Sequence, residues 1–130
     1  MKYYINKTLN DSYNVVKEKV MEALKSEGFG VLTNIDIQTT LKNKINVDFY
    51  KYEILGACNP QLAYQALQAE DKIGTMLPCN VILQQKETEG PVEVSAVSPV
   101  ASMQAIENPQ LGELAMAVQK KLEDVIAKLN

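Results

Sequence analysis

The chain has 130 residues, 46% of them hydrophobic, which predicts one domain with one core. All 13 basic residues are lysines, the net charge is −3, and the chain contains no arginine, histidine or tryptophan. These features exclude a Ser-His-Asp or Cys-His nucleophile, a histidine-containing zinc site and an arginine clamp from this chain alone, and they predict no nucleic-acid partner.

The first half of the chain alternates extended and helical segments. Alternating or branched apolar residues predict strands over 3–8, 31–37 and 49–57. Residues 10–12 supply capping side chains for a helix that ends at Gly28, a left-handed cap. The predicted buried face of this helix contains Tyr13, Val16, Val20, Ala23 and Leu24.

Three further helices are predicted from caps and spacing. A short one covers 39–46, capped by Thr39 or Thr40. The other two start where an asparagine precedes a proline, at Asn59 and at Asn108. Their predicted buried positions are Leu62, Ala63, Ala66 and Leu67 in the first, and Leu111, Leu114, Ala115, Val118, Leu122, Val125, Ile126 and Leu129 in the second.

The second half also contains the clearest hairpin, with strands over 79–85 and 92–97 joined by the polar turn 86–91. The order of strands and helices predicts an α+β fold. We expect a curved, mostly antiparallel sheet of about five strands with two long helices on one face and a short inserted helix. Since no linker or repeat interrupts the sequence, residues 1–130 are predicted to form a single domain.

Each cysteine stands before an asparagine at a junction between elements. Cys58 and Asn59 lie where a strand gives way to a helix, and Cys79 and Asn80 lie where a strand begins. Free backbone N–H groups and the helix dipole at such a junction stabilise a thiolate. The alternative is that Cys58 is a small buried apolar residue. If both junctions lie at one end of the sheet, two thiols and two amides converge on one pocket.

No metal or cofactor is predicted. Two thiols make a poor zinc site, and their separation does not suit copper(I). We expect both to be free thiols in a reducing cytoplasm, although a reversible disulfide is possible if their Cα atoms lie within about 7 Å. No apolar run approaches the roughly 20 residues that cross a bilayer, and the first residues lack a signal-peptide pattern, so no membrane partner is expected.

Carboxylates and tyrosines give a weaker signal. Asp36, Asp48 and Glu53 can supply a pair for acid–base chemistry, but solvated carboxylates on a strand face are far more common. Tyr50, Tyr52 and Tyr64 can offer hydroxyls to a ligand, although tyrosine is also an ordinary residue at the edge of a core.

Four segments together resemble the domain of unknown function 302 family. They are residues 27–32, residues 52–60 with Gly-Ala-Cys-Asn-Pro, residues 73–81 with Leu-Pro-Cys-Asn, and the strand that ends near Pro99. The resemblance covers nearly the whole chain and maps Cys58, Asn59, Pro60, Pro78, Cys79 and Asn80 onto the family's signature. It implies a small bacterial or archaeal protein with a strand-helix-four-strand-helix core, similar to the TATA-binding-protein fold, and a homodimer. It implies no reaction.

The leading functional hypothesis is a non-enzymatic cytoplasmic dimer. It binds a small molecule or a partner at the end of the sheet that carries Cys58, Asn59, Cys79 and Asn80. An alternative is a thiol-dependent redox or transfer enzyme with Cys58 as nucleophile and Cys79 as resolving thiol. The third hypothesis is a structural assembly module in which both cysteines only pack.

Overall fold

A computed structural model describes residues 2–130, and its five strands form one sheet. The sheet is antiparallel throughout, in the order β1-β5-β4-β3-β2. The strands are β1 (Tyr4–Leu9), β2 (Gly30–Asp36), β3 (Lys51–Cys58), β4 (Cys79–Gln85) and β5 (Val92–Val97). The helices are α1 (Tyr13–Ser26), α2 (Ile37–Ile45), α3 (Pro60–Ala69), α4 (Pro99–Ser102) and α5 (Pro109–Lys128), and Asp71–Met76 is a 3₁₀ segment. The predicted α+β fold is confirmed.

The main core lies between one face of the sheet and the two long helices, α1 and α5. Alternate residues of the central strands face these helices and are fully buried, among them Leu55, Val81 and Val94. Burying each such side chain contributes about 1.5–3 kcal/mol to stability. All five apolar positions predicted for α1 are buried. Neither α1 nor α5 therefore covers the opposite face of the sheet.

A second, smaller core joins α3, the 3₁₀ segment and the start of α5. Ala66, Ile73 and Leu111 are its buried residues. Of the positions predicted to be buried in α3, only Ala66 is fully so, and Leu67 is 43% exposed. The prediction for Leu67 is wrong because α3 is an excursion that rests on a small cluster and not on the sheet.

The predicted caps are mostly confirmed. Gly28 has a φ of +85°, and Asn59 and Asn108 accept hydrogen bonds from the first turns of α3 and α5. The cap of α2 differs from the prediction. Asp36, and not Thr39 or Thr40, is the N-cap, and it accepts a hydrogen bond from the Thr39 amide at 3.0 Å. The helix therefore begins at Ile37, earlier than predicted, and β2 ends at Asp36.

Two short helical segments were not predicted from the sequence. The 3₁₀ segment fills the loop before β4, and it is followed by a cis peptide bond between Leu77 and Pro78. The single turn α4 is capped by Ser98, whose hydroxyl accepts from the Ala101 amide at 3.3 Å and donates to Gln119 Oε1 at 2.9 Å. Neither segment has the apolar spacing by which a longer helix is recognised.

None of the helices found in residues 2–130 is long and apolar enough to cross a membrane.

Candidate functional site

Antiparallel pairing brings the two Cys-Asn junctions to the same end of the sheet. β3 ends at Cys58, β4 begins at Cys79, and Ala57 is paired directly with Cys79. Both cysteines are free thiols in the structure. The condition on which the predicted site depends, a common end for both junctions, is therefore met.

Asn59 uses its side chain to join two helix ends. Its Oδ1 accepts from the Leu62 amide at 3.2 Å and its Nδ2 donates to the Glu27 carbonyl at 3.5 Å. Asn59 also packs closely against Gly28, because a Cβ atom on Gly28 would lie only 3.0 Å from Asn59 Nδ2. The amide of Asn59 is thus committed largely to the fold.

Cys58 lies beside a small apolar cavity between α3, α5 and the Leu77–Pro78 segment. The cavity volume is about 30 Å³, the share of liquid volume that one water molecule occupies. Cys58 and Asn59 line the cavity, and its remaining walls are formed by Phe29, Ala57, Leu62, Ala63, Ala66, Leu77, Pro78, Met103, Leu114, Ala115 and Val118. As shaped, the cavity has room for a few atoms only.

Cys79 faces the main core and is only 8% exposed. Burial, with a smaller effect from the nearby Cys58, raises the pKa of its thiol to about 11. With that pKa, about one Cys79 side chain in a thousand is a thiolate at pH 8. Cys79 is therefore a packing residue in the folded chain, as free cysteines often are.

Cys58 is half-buried whereas Cys79 is buried, and this difference in exposure predicts selective alkylation. In folded protein at pH 8, iodoacetamide should leave Cys79 unreacted on the timescale on which any accessible thiol reacts, because the neutral, buried thiol is a poor nucleophile. Peptide mass spectrometry of wild type and Cys58→Ser measures this. Rapid alkylation of Cys79 in folded Cys58→Ser would contradict it.

Asn80 lies on the opposite face of the sheet from Cys79 and is exposed. It lines an open groove of about 500 Å³ that runs across β1, β5, β4 and β3 on the side away from α1 and α5. We call it the tyrosine groove, and its lining consists of Lys2, Tyr3, Tyr4, Asn6, Tyr52, Asn80, Ile82, Gln84, Lys86, Glu93, Ser95, Ala96 and Val97. Of the four predicted site residues, Cys58 and Asn59 share a cavity, Cys79 is in the core, and Asn80 is on this open face.

The floor of the tyrosine groove carries neutral polar side chains with unused hydrogen-bonding groups. Asn6 donates to the Ser95 hydroxyl at 2.7 Å, and Gln84 donates to the Tyr50 hydroxyl at 3.2 Å. The carbonyl oxygens of both amides are left open, and the amide of Asn80 makes no hydrogen bond to any other residue in 2–130. The floor can therefore both donate to and accept from a ligand.

Tyrosines stand on both sides of this floor. Tyr3 and Tyr4 pack edge to face, with ring centroids 4.9 Å apart, at the β1 side. Tyr52 lies at the β3 side, and its ring centroid is 6.0 Å from that of Tyr50. Burial first, then Tyr50 and Tyr3, raise the pKa of Tyr52, so its hydroxyl is a neutral donor at physiological pH.

A buried polar cluster under α1 was not predicted from the sequence. Glu53 is only 7% exposed and accepts hydrogen bonds from Lys17 and Asn34, both at 2.8 Å. Glu53 faces the core because every second residue of β3 lies on the same face, and Leu55 and Ala57 are buried there. This spacing is the feature of the sequence from which the burial of Glu53 can be predicted. The solvated position expected for Glu53 is wrong.

The phenol of Tyr13 completes this cluster. Its hydroxyl is buried without a hydrogen-bond partner in the described chain, and Lys51 lies 4.7 Å from the ring centroid. Burial and the nearby Glu53 carboxylate raise the pKa of Tyr13. For Glu53, burial opposes ionisation, but the hydrogen bonds from Lys17 and Asn34 lower the pKa overall. The carboxylate is thus held charged by its partners.

The acidic side chains do not assemble a metal site. Across residues 2–130 no three cysteine, aspartate or glutamate side chains converge as a ligand set. The ion pair of Lys42 with Asp48 at 2.9 Å lies at the surface, far more exposed than the pair formed by Glu53. Asp48 and Glu53 therefore serve as ion-pair partners in this structure, and Asp36 caps α2.

The fold and the two Cys-Asn junctions define a five-stranded α+β protein with one open sheet face. The family model described as "Domain of unknown function DUF302" matches residues 5–129, and the chain belongs to this family. A crystal structure of an uncharacterized conserved DUF302 protein from Bacillus stearothermophilus is similar, with a TM-score of 0.92, 26% sequence identity and 100% of both chains covered. The comparison with curated proteins found no match.

Proposed function

We propose that this protein binds a small polar ligand in the tyrosine groove. The observation that carries the proposal is a floor of amide groups with unused donors and acceptors, set between tyrosines in a groove of about 500 Å³. Ligand sites commonly occupy about 300–1,000 Å³ and combine apolar walls with a few well-placed polar groups. The groove meets the size condition, and its tyrosine rings supply apolar surface beside a polar floor.

In this proposal Asn80 is the predicted site residue that touches the ligand. Its exposed amide stands on β4 one residue after buried Cys79, so the Leu-Pro-Cys-Asn segment places one side chain in the core and the next in the groove. That Cys58 and Asn59 also contact a ligand stays a prediction. A ligand beside them must fit, or enlarge, a cavity of about 30 Å³.

A ligand screen on three proteins separates these positions. We expect some members of a panel of nucleosides, methyl glycosides and amino acids to raise the melting temperature of wild type. Asn80→Ala should weaken that binding at least about fivefold, since it removes a hydrogen-bonding amide from the floor. Cys58→Ser, a near-isosteric change at a residue that lines the small cavity and not the groove, should bind as wild type does.

Two results contradict the proposal. One is a panel in which no compound raises the melting temperature or gives a heat of binding with wild type. The other is binding that survives Asn80→Ala and is lost in Cys58→Ser, because it would place the ligand at the thiol. In that case the alternative function, a thiol-dependent reaction at Cys58, gains support, although the buried Cys79 remains unsuited to act as the resolving thiol.

The exposed edge strand β2 favours a second proposal, that the protein forms a homodimer. β2 has a neighbour on one side only, and its apolar residues Leu32 and Ile35 are 69% and 46% exposed. Such an edge presents unpaired backbone groups to another chain. A second copy that pairs its own β2 with this edge would extend the sheet and cover both side chains.

Leu32→Lys tests this dimer, because a lysine on an edge strand opposes pairing. We expect the variant to raise the dimer dissociation constant at least tenfold in sedimentation velocity experiments. Tyr64→Lys is the matched control, since Tyr64 is 65% exposed on α3, away from β2. A wild type that stays monomeric at all concentrations, or a dimer that only the control disrupts, would contradict the proposal.

The two free thiols also support a cytoplasmic location, because reducing compartments keep cysteines unpaired. Expression with a fluorescent tag and fractionation in the source organism would test this. Recovery of the protein in an oxidising compartment would count against it.

A further inference from the structure

We propose that the ligand of the tyrosine groove is a nucleoside, with the edge of its base facing the amides of the groove floor. This inference rests on the proposed function of the groove and adds the chemical class of the occupant. It depends on three properties of the lining: where the charges lie, what the amides can bond, and how the aromatic rings are placed.

The charged groups of the groove lie at its margins and leave the floor neutral. Lys86 and Glu93 form an ion pair with each other at 3.2 Å, and Lys2 lies 5.8 Å from the ring centroid of Tyr4. The floor residues Asn80, Ile82 and Ser95 carry no charge. A neutral ring system therefore suits the floor, because an ionised group placed there would lose hydration without gaining a counter-ion.

The amides on the floor match the edge of a nucleobase. A carboxamide presents a donor and an acceptor side by side in one plane, and bases present the complementary pair along their edges. Asn and Gln recognise adenine in this bidentate way. Among the described residues 2–130, no group bonds to the amide of Asn80 or to the carbonyl oxygen of Gln84, and both side chains lie on the same face of β4.

The tyrosines supply stacking surfaces next to these amides. Sheets that carry helices on one face and aromatic side chains on the other bind bases of single-stranded RNA by stacking, and each stacked base contributes strongly to affinity. Here Tyr4 and Tyr52 flank the floor from β1 and β3. The net charge of −3 and the absence of arginine oppose a polymer of phosphates, so a single nucleoside is the better fit.

Calorimetry with adenosine, guanosine, cytidine and uridine, and with methyl glucoside as the non-aromatic comparison, tests the class of ligand. We expect at least one nucleoside to bind and the glycoside not to bind. Tyr52→Leu should weaken nucleoside binding at least about fivefold and Tyr52→Phe should retain it, because stacking needs the ring and not the hydroxyl. Tyr64→Leu, on exposed α3, should bind as wild type does.

The outcomes separate this inference from the proposed function. Binding of methyl glucoside without any nucleoside, lost in Asn80→Ala, would overturn the nucleoside and leave the groove as the site. Nucleoside binding that is equal in wild type and Tyr52→Leu would overturn the stacking arrangement. Binding of an amino acid without any nucleoside would likewise overturn only the nucleoside, whereas both the inference and the proposed function fail if no compound of the whole panel, amino acids included, binds to wild type.

Discussion

Glu53→Ala is expected to lower the free energy of unfolding by about 3 kcal/mol. The carboxylate is 7% exposed and holds Lys17 and Asn34 at 2.8 Å, so its removal leaves a lysine and an amide without their partner under α1. Breaking a buried pair costs about 3–5 kcal/mol, and the 28% exposure of the Lys17 side chain places this case at the lower end. Urea unfolding followed by circular dichroism measures the change.

Two companion variants show whether the loss comes from the buried pair. Asp48→Ala removes a carboxylate from the exposed Lys42 pair and should cost less than about 1 kcal/mol. Lys17→Met combined with Glu53→Leu should be more stable than Glu53→Ala, because two apolar side chains leave no unpaired charge. Equal losses for Glu53→Ala and Asp48→Ala would contradict the account.

The same cluster predicts a pH dependence. The pKa of Glu53 is lowered in the folded chain from a usual value of 4.5, so its contribution to stability is present above pH 4.5 and is lost as the pH falls through the lower folded pKa. Between these two values wild type should lose stability faster than Glu53→Gln, which cannot titrate there. Unfolding curves of both proteins at several acidic pH values measure this.

Gly56→Ala is expected to cost about 2–3 kcal/mol. Gly56 lies in β3 where any Cβ atom would collide with the Thr33 Oγ1 atom of β2 and lie 2.8 Å from the Pro78 Cγ atom. Gly56 is buried, so the Thr33 side chain and the Pro78 ring must move within a packed region to make room. Thr33→Ala in the same chain should recover part of the loss, since the nearest atom is then gone.

Gly112→Ala is the control for Gly56→Ala. Gly112 lies in α5, and the position that its Cβ atom would take is open space, so the change should stabilise the helix by about 0.5–1 kcal/mol. Thermal unfolding of both variants should therefore move in opposite directions. Stabilisation by Gly56→Ala would contradict the steric clash expected between the added Cβ atom and the Thr33 and Pro78 side chains.

The parts of the fold that were predictable have a periodic or capping signal. The buried stripe of α1 follows helical spacing, and Asn59 and Asn108 mark helix starts because a side-chain acceptor precedes a proline. Leu67 was mispredicted although its spacing is correct. Spacing shows which residues share a helix face, but which face meets the core depends on tertiary packing.

The candidate site was predicted only in part, for a related reason. Antiparallel register places Cys58 and Cys79 at one end, as expected, but successive residues of a strand point to opposite faces, so Cys79 and Asn80 separate. The tyrosine groove gathers Tyr4, Asn80 and Ser95 from three strands. Their proximity follows from the strand order, which local patterns in the sequence do not contain.

The measurement that tests the central claim most directly is a chemical-shift map. Labelled protein is titrated with a mixture of nucleosides and methyl glycosides, and the backbone amide resonances are followed. We predict that the amides of Asn80, Ile82, Gln84 and Ser95, which line the open face, shift together and saturate. Shifts confined to Cys58 and the start of α3, or no shifts at all, would contradict the claim that the open sheet face is the binding site.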